Sequence, residues 1–174
     1  MERKYAWHNY DDANIEKVYA LSDTYRQFLD NGKTERECVV QAVEFAEAKG
    51  YVNLNDIIKS NSSIKAGDKI YYTHMDKSIA LFNIGTDDIE LGMNILGAHI
   101  DSPRIDVKQN PQYEDSNLVF WDTHYYGGIK KYHWVAMPLA IHGVVVKTDG
   151  TRININIGDK ENDPVFCITD LLPH

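Results

Sequence analysis

Residues 93–99 read MNILGAH, a nearly continuous apolar run that ends on a histidine. A short run of this kind, bounded by turn residues, predicts a central strand covered on both faces. Ser102-Pro103 breaks it, and Asp101 stands two residues beyond His99. In a strand, residues i and i+2 face the same side, so His99 and Asp101 are predicted to address one point in space. A metal can take such an imidazole as a ligand while the carboxylate orients a neighbouring ligand or a general base. Ligands also bind beyond the carboxyl ends of α/β strands. The structural alternative is a buried, hydrogen-bonded His-Asp pair.

The elements around this run suggest an α/β layer followed by a β module. Ile15, Val18, Tyr19, Ser22, Tyr25, Phe28 and Leu29 recur at helical spacing, and Asn31-Gly32 ends that helix. Thr34 and Glu37 have capping-box spacing for a second helix striped by Val39, Ala42, Val43 and Ala46, with Gly50 at its left-handed end. A short helix is expected over LNDIIKS. KIYYTH and SIALFNIG then predict a hairpin across MDK. RIDVK alternates and NLVFWDTHYY is strand-like, up to Gly127-Gly128, where the backbone must turn or approach something closely. MPLAIHGVVVKTDGTRININIG reads as a hairpin turning at Asp149-Gly150. Residues 116–158 carry no helical pattern, which marks a separate β module attached to, or inserted in, the α/β layer. Asp170 offers a helix N-cap just before the last residues, which predicts a chain shorter than its natural design.

Composition excludes several functions. The 174 residues carry a net charge of −8, which disfavours a nucleic-acid partner. No apolar run approaches the roughly 20 residues of a membrane span, and MERKYAWHNYDDANIEKVY lacks the apolar core of a secretory signal. A cytoplasmic protein with no membrane partner is expected. Cys38 and Cys167 lie far apart in no metal-type spacing and read as two reduced, buried thiols. The 11 tyrosines read first as packing.

One histidine cannot hold a catalytic metal, because zinc takes at least three protein ligands. His124, His133 and His142 are weaker candidates, nine residues apart; His124 also reads as part of an aromatic cluster and His142 as a satisfied polar group. His8 and His74 rank lower. Glu161 lies in the solvated loop GDKEND. Lys130-Lys131 is either a solvated turn or an anchor for an acidic group. AGDKIYY lacks the P-loop Lys-Ser/Thr, and Ser102 lacks a nucleophile elbow.

LGAHIDSPRIDVK, followed by DTHYYGGIKKYHWVAMPLAIHGVVV, resembles the aspartyl aminopeptidase (aminopeptidase I) family of zinc metallopeptidases. The likeness extends over the whole chain and is strongest at residues 96–147. It implies the fold of an α/β zinc exopeptidase. Residues 1–115 would form the N-terminal part of its mixed-sheet catalytic domain, and residues 116–174 would begin an inserted all-β dimerisation domain. It implies that His99 is the first zinc ligand and Asp101 the catalytic-site aspartate behind it. It further implies two zinc ions per active site, peptide substrates with Asp or Glu at the N-terminus, and a dodecameric homo-oligomer. In the family the remaining ligands and the general-base glutamate lie downstream of the insert. The chain is therefore expected to hold a partial site and to be inactive alone. The rival expectation is a non-catalytic assembly module that reuses the dimerisation surface.

Overall fold

The computed structural model describes residues 5–171. The chain divides into two compact units, one reaching to Ile100 and the other opening at Asp101. Among the described residues, no helix is long and apolar enough to cross a membrane.

In the first unit, α1 (Asp12–Asn31) begins where the Asp11 carboxylate accepts from the Asn14 amide at 2.9 Å. Ile15, Val18 and Phe28 of its predicted stripe are half-buried, whereas Tyr19, Tyr25 and Leu29 remain exposed. The predicted capping box opens α2 (Glu35–Ala48): Glu37 N donates to Thr34 Oγ1, and Thr34 N to Glu37 Oε2. At its other end, Gly50 adopts φ +82°, and the amides of Gly50 and Tyr51 return to the carbonyls of Glu47 and Ala46. These two bonds satisfy carbonyls that the helix leaves without partners. Cys38, Val39 and Ala46 on this helix are buried.

A mixed three-stranded sheet packs beside α2. The short β1 (Val52–Asn53) runs parallel to β2 (Lys69–His74), which pairs antiparallel with β3 (Ser78–Asn83). The predicted short helix is α3 (Leu54–Lys59), capped by Asn53. The small core centres on Ile70 and Tyr71 of β2 beneath Cys38, Val39 and Ala46. Tyr71 is the one buried tyrosine among the described residues, so packing accounts for few of them.

The expectation of a central strand at 93–99 is corrected. These residues form neither helix nor strand, and Leu96 is 99% exposed. An apolar run becomes a strand only when neighbouring strands satisfy its amides and carbonyls. Among the described residues no strand pairs with it.

The second unit is built from two hairpins. The first joins β4 (Arg104–Asp115) to β5 (Leu118–Tyr126) through Ser116 and Asn117, both at positive φ. β4 runs well past the predicted RIDVK because residues 108–111 bulge opposite Asp122, and Pro111, which cannot donate to a ladder, falls within the bulge. The second hairpin pairs β6 (Ile141–Val146) with β7 (Arg152–Ile157) across the predicted Asp149-Gly150 turn. Residues 137–140 stay outside the ladder, although Leu139 bridges to Phe166 and Val135 to Ile168. Side chains alternate along this last stretch. Phe166 and Ile168 turn inward while Cys167 is exposed, so the expectation of two buried thiols holds for Cys38 alone. The helix expected from Asp170 onward falls largely on residues 172–174, outside the described residues.

Candidate functional site

His99 is exposed in the irregular segment between β3 and β4. It belongs to the first unit, whereas Asp101 opens the second. Because neither residue lies in a strand, the shared-face argument for their spacing does not operate here.

Asp101 has a built environment. The Tyr126 hydroxyl donates to Asp101 Oδ2 at 2.7 Å. Tyr126 closes β5 directly across from Arg104, the first residue of β4. The Arg104 guanidinium lies over the Tyr126 ring, 4.2 Å from its centroid, and Arg104 Nε donates to Asp106 Oδ1 at 2.7 Å. Both side chains of that ion pair are well shielded from solvent, at 26% and 30% exposure. The contacts run Asp106–Arg104–Tyr126–Asp101, from the ladder to the carboxylate. Gly127 follows with φ +69°, and a Cβ there would touch Pro103 at 3.5 Å. The predicted break at the glycine pair is thus a left-handed turn against the residue that ends the Asp101 segment. A carboxylate held in this way can accept an imidazole N–H and raise the basicity of a metal-bound histidine.

The sequence reading missed Tyr126 and Arg104. Arg104 read as part of an alternating strand and Tyr126 as part of a strand-like run, and only the register joins them. Counting back from the Ser116-Asn117 turn without the bulge would set a different residue opposite Arg104.

The other candidates have local roles. His142 Nε2 sits 3.1 Å from Asp159 Oδ2, which also accepts from Asn156 Nδ2 at 3.1 Å. This fits its reading as a satisfied polar group. His124 lies opposite Asp106 in the ladder, and His133 packs edge-on against Tyr132 at 4.3 Å. His74 ends β2 exposed, and His8 stacks on Tyr5. Lys131 holds its ammonium over the Tyr125 ring at 5.2 Å, so this lysine is not simply solvated. Among the described residues, no three His, Cys, Asp or Glu side chains gather into a set that could hold a metal ion. His99 has suitable donor chemistry, but a zinc site of three or more protein ligands is not completed by these residues.

Residues 28–174 match the family described as aminopeptidase I zinc metalloprotease (M18), and the chain belongs to that family. A probable M18 family aminopeptidase 1 from Clostridium acetobutylicum is 52% identical over 173 residues, covering 99% of this chain and 37% of that protein. The corresponding protein of Thermotoga maritima is 47% identical over 178 residues, covering all of this chain and 37% of its own length. The crystal structure of aminopeptidase I from Borrelia burgdorferi B31 superposes with a TM-score of 0.87 at 42% identity, covering 98% of this chain and 41% of that one. The chain thus spans about 37% of the length of the curated relatives it matches.

Proposed function

We propose that the chain serves a zinc-dependent aminopeptidase that releases the N-terminal residue of peptides, with Asp and Glu favoured at that position. In this reading His99 is a zinc ligand and Asp101 is the carboxylate that orients it. Residues 1–115 contribute to the catalytic domain, residues 116–174 begin a β dimerisation domain, and the working form is a cytoplasmic homo-oligomer. The observation that carries the reading is the family match over residues 28–174, within which both residues fall. Two zinc ions need more ligands than the described residues bring together, so the 174-residue chain alone is proposed to be inactive.

Hydrolysis of Asp-, Glu- and Leu-aminoacyl substrates in zinc tests this reading in two proteins: the isolated chain and the product of the complete reading frame that encodes it. The expected result is no turnover by the isolated chain and turnover of acidic substrates by the complete product. His99→Ala and Asp101→Asn should each lower that turnover by about 10- to 100-fold or more. Full activity in His99→Ala overturns the ligand assignment. No activity in the complete product favours the second reading, a non-catalytic assembly module, for which the exposed Leu118 and Val119 of β5 are the supporting observation.

A further inference from the structure

We infer that Tyr126 is a positioning residue for Asp101, held in place by Arg104. The inference rests on the proposed role of Asp101 and adds the residues that would make that role possible. Residues 97–103 have no ladder of their own. A carboxylate in such a segment takes its direction from side-chain contacts, because no ladder fixes the backbone there. The Tyr126 hydroxyl supplies a 2.7 Å tether to Asp101 from the end of a paired strand. A hydrogen bond to an ionised oxygen is stronger than one between neutral groups.

Tyr126 itself is placed from two sides. Its backbone pairs across from Arg104 in the ladder. Its ring lies under the Arg104 guanidinium at 4.2 Å, and that guanidinium is turned and anchored by Asp106 at 2.7 Å. Arg104 therefore supports the phenol that holds Asp101. Lysine cannot replace it, because a point charge lacks the planar face that stacks on the ring while an N–H remains aimed at Asp106.

A double-mutant cycle with Tyr126→Phe and Asp101→Asn, read by hydrogen exchange of the Asp101 and Ser102 amides, tests the tether without any metal. Tyr126→Phe should speed exchange there about tenfold or more, the scale of one lost hydrogen bond to a charged group, and leave the β6–β7 hairpin unchanged. With Asp101→Asn added, the two effects should be less than additive, because both substitutions remove the Tyr126–Asp101 bond. Arg104→Lys should give a smaller increase in the same amides. Additive effects, or no local change in Tyr126→Phe, overturn the tether. In the peptidase assay, Tyr126→Phe should lower kcat about 10-fold or more with KM nearly constant. An unchanged kcat beside an intact coupling overturns the positioning role. Failure of the proposed function shows separately, as indifference of hydrolysis to His99→Ala.

Discussion

The Tyr71 hydroxyl donates a 2.7 Å hydrogen bond to Glu47 Oε1 and so ties β2 to α2. Tyr71 is 5% exposed and belongs to the small core of the first unit. The bond to Glu47 leads the effects that hold its phenol proton more tightly than usual, and burial adds to it. Tyr71→Phe keeps the ring and removes only this bond. The cost should be about 1.5 kcal/mol, the low end for hydrogen bonds to charged groups, because Glu47 can return to water. The same pair predicts an alkaline dependence. The folded state keeps the phenol proton at a pH where the unfolded chain, with an ordinary value of about 10, has begun to lose it. Stability is therefore fully present below about pH 10 and falls as pH rises through the folded value. Urea midpoints between pH 8 and 11 should fall more steeply for the native protein than for Tyr71→Phe, and parallel curves would refute this coupling.

Both ends of α2 should respond to single substitutions. Thr34→Ala removes the side-chain acceptor for the Glu37 amide and should cost about 1 kcal/mol. Gly50→Ala introduces a Cβ with nothing within 4 Å of it, so any cost there arises from its φ of +82° alone. About 1–2 kcal/mol is expected for that left-handed conformation. Chemical denaturation of the two variants and their combination checks both values. A Gly50→Ala protein as stable as the native one would contradict the assigned helix end.

How much could be read from the chain follows from where each signal resides. The caps of α2 were legible because Thr34, Glu37 and Gly50 act through bonds within a few residues. The β2–β3 hairpin was legible because its pattern and turn are contiguous. The 93–99 run was misread because its apolar pattern describes a strand already in a sheet, and a sheet depends on partners remote in sequence. The Asp101 cluster was half legible. The aspartate stood out beside His99, but Tyr126 and Arg104 meet only through a register that the bulge at residues 108–111 resets. Family resemblance supplied the zinc expectation, because no metal-holding set gathers among the described residues.

The two thiols should react very differently. Cys38 is buried with its Sγ 3.6 Å from the Gly32 carbonyl. Burial, followed by the charges of Glu37 and Glu35, pushes its pKa up. The nucleophile is the thiolate, so Cys38 is both shielded and poor in the reactive form. Cys167 is exposed. Iodoacetamide at pH 7.5 should label Cys167 at least about tenfold faster, with Cys38 following only as the first unit opens. Peptide mapping by mass spectrometry over a labelling time course reads the order, and equal rates would show that the core around Cys38 is not closed.

An acid dependence is expected from the loop after β7. Asp163 Oδ2 accepts from the amides of Gly158 at 3.0 Å and Lys160 at 3.3 Å. These bonds, that to Gly158 first, hold the carboxyl below its ordinary range. A depressed carboxyl adds stability above the unfolded value near pH 4, and that contribution disappears as pH falls through the folded value. Asp163→Asn should lower the thermal midpoint at pH 7 and match the native protein near pH 2. A gap of the same size at both pH values would exclude the charge as its source.

The exposed run at 93–96 separates folding stability from association. Leu96 is almost fully exposed, and Met93 and Ile95 are also exposed, so Leu96→Gln removes almost no burial. Its effect on the unfolding free energy should stay within about 0.5 kcal/mol. Apolar surface grouped in an unpaired segment favours association with other chains, and unpaired strand edges such as β3 add to that tendency. Light scattering of the 174-residue chain over a concentration series should therefore show reversible self-association, which Leu96→Gln weakens while the thermal midpoint extrapolated to low concentration is unchanged. A monomer at every concentration, or a large loss of stability in Leu96→Gln, would mean that this run is packed against the fold rather than presented by it.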